Sequence, residues 1–341
     1  MSGQPVHTSS WVGGEPVDTP LGTALRGPMY VHSSAPSAPR WPVPVVLVHG
    51  GGGQGTDWLS TPDGRPGWAP ILVEAGWTVH VVDRPGHGRS PTLPGGRAAA
   101  PPPTLEMTAQ VFAPGSDPRH TQWPGPGGPD DPAVAAMTAS ASPLPADGAA
   151  AQGTDADRLA DLLDRIGPAV LVTHSYGALA GWLAADRRPG TVVALVAIEP
   201  PGPPFLSIPA IGLSLDWGLT TAALTYDPPV DAAAELSHET PGTLPNLAGL
   251  PIAVIEAEAS PMAAGAGPVA AFLRTAGADA HHLRLAEHGV HGNGHGLMLE
   301  LNNREALQVV TSWLEAALAS RTRPDPVAEA VKPGTRSGDR S

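Results

Sequence analysis

PAVLVTHSYGALAGWLAADRRPGTVVALVAIEP, residues 168–200, is the stretch on which the fold turns. It opens on an apolar, β-branched run and reaches Ser175. It then turns through Tyr176 and Gly177 into small helix-favouring residues, and comes back to a second apolar run that ends at Glu199. Runs without polar alternation have no solvent face and suit strands covered on both sides. Strand, helix and strand joined by short links require a right-handed crossover, so the two strands are parallel. Ser175 and Glu199 then sit at the C-terminal ends of their strands, where open parallel sheets bind ligands.

The same pattern extends outward. Just upstream, "TDADRLADLLDRIG" puts Ala156, Leu159, Ala160, Leu163 and Ile166 on one helical face, with Thr154 as N-cap and Gly167 as C′ residue. Further upstream, "PMYVHS" (28–33), "VPVVLVH" (43–49) and "WTVHVVDRPGHGRS" (77–90) carry strands, and "GWAPILVEAG" a short helix. Downstream, "PIAVIEA" and "HHLRLAE" read as strands, with helices over 263–276 and 296–319. Two stretches break the series, 91–152 with its "PTLPGGRAAAPPP" and "PGPGGPDDP", and 200–250. Fixed φ angles and missing N–H groups disfavour regular structure there, so both read as insertions, the second as a lid. The expected fold class is α/β, a mostly parallel central sheet with helices on both faces, over residues 27–320. An N-terminal extension (1–26) precedes it and a disordered tail (321–341) follows.

Composition narrows the function. With 341 residues the chain can bury a sizeable core, but 41 Gly and 42 Pro point to long loops. A net charge of -13 disfavours nucleic acid and anionic membrane surfaces as partners. The absence of cysteine excludes disulfides, thiolate metal sites and cysteine nucleophiles. The opening "MSGQPVHTSSWVGGEP" has neither a basic nor an apolar region of the secretory kind, and no run is long enough to span a membrane, so a cytoplasmic location is expected.

Thr173-His174-Ser175-Tyr176-Gly177 fits the G-x-S-x-G nucleophile elbow, with Thr in place of the first Gly. The blander reading is a serine capping the helix that follows. "HGGGGQGTDW" (49–58) offers backbone N–H groups unhindered by side chains, as an oxyanion hole requires. Gly51, Gly52 and the amide of Tyr176 are the candidates. A phosphate loop would end in Lys-Ser/Thr, which is absent. A serine hydroxyl needs a base, and His288, His291 and His295 all lie in "EHGVHGNGHGLMLELNN". These three could instead hold zinc, but intervening glycines break the helical spacing and no nearby carboxylate has ligand spacing. For the acid, Glu199 ends a strand that has no other polar group, with Glu256 and Glu258 as alternatives.

"VVLVHGGGGQGTDWLSTPDGRPGWA", "VVDRPGHGRSP", "THSYG", "AIEPPG" and "GNGHGLMLELNN", in this order between about residues 27 and 318, resemble the α/β-hydrolase superfamily. Within it they are similar to bacterial esterases whose acid is a Glu after the sixth strand. The acid more usually follows the seventh, where this chain has Ser260. The resemblance implies Ser175 as nucleophile, Glu199 as acid and His295, the His of "GNxH", as base. Asp83 and Arg84 then fall in a structural turn, and the 91–152 insertion with "HTQWPGPG" helps build a pocket. A haloalkane dehalogenase is disfavoured, because its elbow carries Asp. The expected activity is serine carboxylester hydrolysis through an acyl-enzyme, with no metal or organic cofactor. The same triad could serve an acyltransferase or amidase, and a silent ligand-binding member of the fold is the third reading. The expected partner is a small-molecule ester, without nucleic acid or membrane insertion, and a homodimer stays open. Trp58, Trp68, Trp123 and Trp217 either line the pocket or pack under loops. A histidine base predicts activity that falls below about pH 6 to 7.

Overall fold

The computed structural model describes residues 3–322 apart from 92–100, 102, 116 and 238–241; of the tail expected over 321–341, residues 321 and 322 end the last helix and the rest lies outside the described residues. The chain opens with strand β1 (Val6–Val12), a hairpin of β2 (Glu15–Thr19) and β3 (Gly22–Arg26), and β4 (Met29–Ala35). Next come β5 (Val45–Val48), α1 (Thr56–Leu59), α2 (Trp68–Glu74) and β6 (Val79–Asp83). Helices α3 (Leu105–Phe112) and α4 (Pro132–Ser140) lie in the first insertion. They lead to α5 (Gly148–Ile166), β7 (Ala169–His174), α6 (Gly177–Arg187) and β8 (Val192–Ile198). A small hairpin, β9 (Ser207–Ile208) and β10 (Leu213–Ser214), precedes β11 (Pro251–Glu256), α7 (Ala263–Thr275), β12 (Asp279–Arg284) and α8 (Asn303–Thr322).

Eight strands form one sheet in the order β1-β4-β6-β5-β7-β8-β11-β12. From β6 to β12 every pairing is parallel, and β4 pairs antiparallel with both β1 and β6. The central strands are apolar on both sides because both faces are covered. In β7, Ala169 and Leu171 join the cluster under α5, α6 and α7, while Val170 and Val172 join the one under α2 and α8. Truncating Leu171, fully buried, to Ala would cost about 2–5 kcal/mol.

The structure revises several boundaries. The stretch 1–26 is not wholly outside the sheet, since β1 is its edge strand, paired over seven residues with β4. Only Val12 of β1 is buried, which leaves little hydrophobic signal in its sequence. Helix α5 begins at Gly148, with Asp147 accepting from the Ala150 amide as N-cap. Thr154 lies inside it, its hydroxyl turned back on the Ala150 carbonyl. The last helix begins at Asn303 rather than 296. The first insertion is more regular than its composition suggests. Its helices close a small core of Ala109, Ala113, Trp123, Ala133 and Val134, and buried Asp131 accepts from Trp123 Nε1, Gly127 N and Ala133 N at 2.7, 2.7 and 2.8 Å.

Candidate active site

Ser175 follows directly on β7. Its amide makes the last rung to the next strand, donating to the Ile198 carbonyl at 2.8 Å, and its φ then swings to 48°. That left-handed conformation lifts the side chain off the sheet and is strained for a residue with a Cβ. The helix after it must start very close to β5, and a Cβ at Gly177 would collide with the His49 carbonyl oxygen. One strand over, Glu199 repeats the arrangement. Its amide donates to the Ile255 carbonyl of β11 at 3.1 Å, and its φ is 49°.

His295 comes from the loop between β12 and α8 and lies between these two strand ends. Its Nε2 is 3.0 Å from Ser175 Oγ. Its Nδ1 is 3.5 Å from Glu199 Oε2, and these are two of the buried side-chain atoms with no other partner. With the proton on Nδ1, the ring accepts the serine hydroxyl on one side and faces the carboxylate on the other. The 3.5 Å separation is longer than a formed charge-assisted bond and leaves room to tighten when substrate binds. Burial drives the His295 imidazole down to about 4. Burial also pushes the Glu199 carboxyl up to about 8, against the Ser260 hydroxyl and the Ala257 amide, which donates to Oε1 at 2.6 Å. Ser260, at the position where an acid is more usual, thus supports Glu199.

The alternative acids and His291 have other partners. Glu256 pairs with His282 at 2.7 Å, and Glu258 takes the Gly292 amide and the exposed His291. His288 lies in a surface turn ahead of the loop that carries His295.

Among the described residues no backbone hydrogen bond uses the amides of Gly51, Gly52 or Tyr176, all of which line the same cavity as Ser175. The glycine loop is braced from beneath. His49 accepts from the Arg84 amide and donates to the Gly50 carbonyl, each at 2.9 Å. Arg84 Nη2 donates to the same carbonyl at 2.7 Å, while Nη1 is paired with buried Asp155 at 2.7 Å. Asp83 accepts from the Gly55 amide and holds Arg89, so both turn residues act structurally.

A cavity of about 230 Å³ is lined by Ser175, His295 and Glu199 and is otherwise mostly apolar. Helices α3 and α4 give it Met107, Phe112 and Met137, and the 200–250 stretch gives it Leu206, Ile211 and Leu213. Phe112 packs 5.4 Å from the His295 ring and helps to exclude water from it. The "HTQWPGPG" segment is not in the wall. Its His120 turns toward Glu300 and its Trp123 into the insertion's own core. Neither are the four tryptophans: Trp58 and Trp68 pack together in the main core, and Trp217 stacks on Tyr226. Sequence reasoning missed His174. Its Nε2 donates to the His295 carbonyl at 2.9 Å and its ring lies 4.7 Å from that of His295. Adjacency to Ser175 was the only signal it gave.

The profile of the α/β hydrolase fold family matches residues 43–225, more than half of the chain. The protein belongs to that family. A fungal relative named as a probable secreted lipase, phiG, is 36% identical over 312 residues, covering 84% of this chain and 85% of the relative. The structure described as a novel bacterial esterase superposes with a TM-score of 0.69 at 22% identity, covering 92% of this chain and 96% of that one, a likeness of fold. The expectation of a cytoplasmic location is corrected by the relative, which is named as secreted. Composition of the first sixteen residues is the weaker guide. Among the described residues no helix of this α/β hydrolase is long and apolar enough to cross a membrane.

Proposed function

We propose that this α/β hydrolase is a serine carboxylesterase working through a Ser175-His295-Glu199 triad. Membership of the family and the lipase name of its relative support ester hydrolysis in general. The observation that carries the finer reading is the placement of one imidazole between Ser175 Oγ at 3.0 Å and an otherwise unpartnered Glu199 Oε2 at 3.5 Å.

The chemistry follows from that placement. Ser175 Oγ attacks the acyl carbon as His295 Nε2 takes its proton, and Glu199 stabilises the imidazolium that forms. The carbonyl oxygen becomes an oxyanion within reach of the amides of Gly51, Gly52 and Tyr176, which no backbone bond among the described residues uses, each donor being worth about 3 kcal/mol in related chemistry. His295 then protonates the departing alcohol, which leaves an ester between the acyl group and Ser175. Water, deprotonated by the same nitrogen, releases the acid and restores the hydroxyl. The apolar walls suit an apolar acyl chain rather than a charged one.

Fluorophosphonate labelling of the purified protein tests the nucleophile. Label on wild type and none on Ser175→Ala is expected, and full esterase activity in Ser175→Ala would refute the assignment. A panel of p-nitrophenyl esters of rising acyl length then measures the reach of the cavity.

A further inference from the structure

Behind the histidine loop stands a second carboxylate that takes no part in the mechanism above. Glu300 is fully buried. Its Oε1 accepts from His120 Nε2 at 2.7 Å and from the Gly294 amide at 2.9 Å. Its Oε2 accepts from Asn293 Nδ2 at 2.8 Å and from the same amide at 3.1 Å. Asn293 is paired in turn with Asn302, from whose Nδ2 it accepts at 3.0 Å. One carboxylate therefore grips both residues that lead into His295. It is satisfied by three donor groups from two parts of the chain, the condition under which burying a charge can be tolerated.

One of those donors comes from far away. His120 belongs to the insertion that builds a wall of the cavity, and the chain beside it is strapped to the same loop. The amides of Thr121 and Gln122 both donate to the Gly292 carbonyl, at 3.0 and 3.1 Å, and the Gln122 carbonyl accepts from the Leu301 amide at 2.8 Å. The fit leaves no slack, since a Cβ at Gly294 would collide with the His120 ring.

We infer that Glu300 is a positioning residue for the base, holding the Asn293–Gly294 backbone that aims His295, and that His120 couples the cavity-forming insertion to it. The inference rests on His295 being the base, as proposed above. Among the described residues the charged and titratable groups around that ring are Glu199 at the end of β8, His174 at the end of β7, and Glu300 with His120 behind the loop, while Glu256 at the end of β11 acts on Glu199. The negative charge of Glu300 favours the protonated form of His295 and disfavours ionisation of Glu199. Removing it therefore lowers both titrations.

The test compares wild type, Glu300→Gln, Glu300→Asp and His120→Ala on p-nitrophenyl butyrate across pH, with Ser175→Ala alongside. Glu300→Gln keeps the size but removes the charge and presents a donor to donors. Its kcat is expected to fall about 10- to 100-fold with little change in KM, because the base is mis-aimed while the cavity persists. Its acid limb is expected to move to lower pH. Glu300→Asp keeps the charge at a shorter reach, so kcat should fall while the limb stays near that of wild type. A wild-type kcat and an unmoved limb in Glu300→Gln overturn the inference, and so does a lowered kcat with an unmoved limb, which assigns Glu300 to the fold alone. Should Glu300→Gln not accumulate as folded protein, His120→Ala decides: reduced kcat and raised KM are expected, and wild-type values overturn the coupling. Activity in Ser175→Ala would sink the triad itself. An inert Ser175→Ala beside an unchanged Glu300→Gln sinks only this inference.

Discussion

Ser175 and Glu199 hang from neighbouring parallel strands whose residues are almost all buried, while the cavity above them is walled by two stretches in which proline and glycine recur. The strands are interchangeable in kind, each an apolar run fixed by pairing on both sides, and they place the reacting atoms by regularity. The walls depend on particular side chains, such as Asp131 with its three donors and His120 on Glu300. On the function proposed above, nucleophile and acid are placed by the sheet, and the base and the cavity walls by loops fastened to it.

Substitutions at the two places should separate on these lines. Replacing Ser175 by Ala should lower kcat by about 10⁴- to 10⁶-fold, leaving thermal stability and ligand affinity largely intact. Glu199→Gln should cost about 10³- to 10⁴-fold in kcat, as removal of an orienting carboxylate does elsewhere. Glu258→Gln, on the surface side of the same sheet edge, should cost less than about threefold.

The pH profile sharpens the assignment. A carboxyl pushed up to about 8 by burial is protonated below that pH, so its service as an anion is lost as pH falls through about 8. The base form of His295 is lost only near 4. Wild-type kcat/KM is therefore expected to fall about tenfold from its alkaline plateau by pH 7, while Glu199→Gln lacks that limb and stays flat to near pH 4. An ordinary histidine base would instead give a fall below about pH 6 to 7, so the profile between pH 7 and 8 tells the two apart.

Ile211→Trp, in the wall, should leave hydrolysis of the shortest esters near wild type and cut kcat/KM for long-chain esters by about tenfold, the scale of a few methylenes in an apolar pocket. The smallest kinetic effect is expected for Asp131→Asn. The insertion should loosen by about 1–2 kcal/mol, visible as faster limited proteolysis there, while the rate on a short ester changes by less than about twofold.

The sheet was legible because it follows from local patterns of uniform apolar runs, and the triad proposed above rests on signals of the same kind, a small residue after Ser175 and a lone carboxylate at the end of β8. What escaped the sequence depends on partners distant in the chain. Nothing near His120 announces Glu300, 180 positions away, and nothing in "HTQWPGPG" says that it turns from the cavity. The start of α5 was hidden by Gly148 and Gly153, poor helix formers whose helix is held by tertiary packing, and Thr154 looked like a cap because caps and mid-helix threonines share one side chain. Strand β1 was hidden by its exposure. The tryptophans misled for the opposite reason: size favours the core, and a sequence cannot say which apolar surface a large ring will find.

The left-handed backbone at Ser175 and Glu199 has a price in folding. Glycine would relax both places by roughly 1 kcal/mol each. Two of the three described non-glycine residues with this backbone, the third being Phe205 with a φ of 61°, thus stand where the proposed chemistry needs them, and selection for robustness alone would erase the enzyme before it weakened the scaffold.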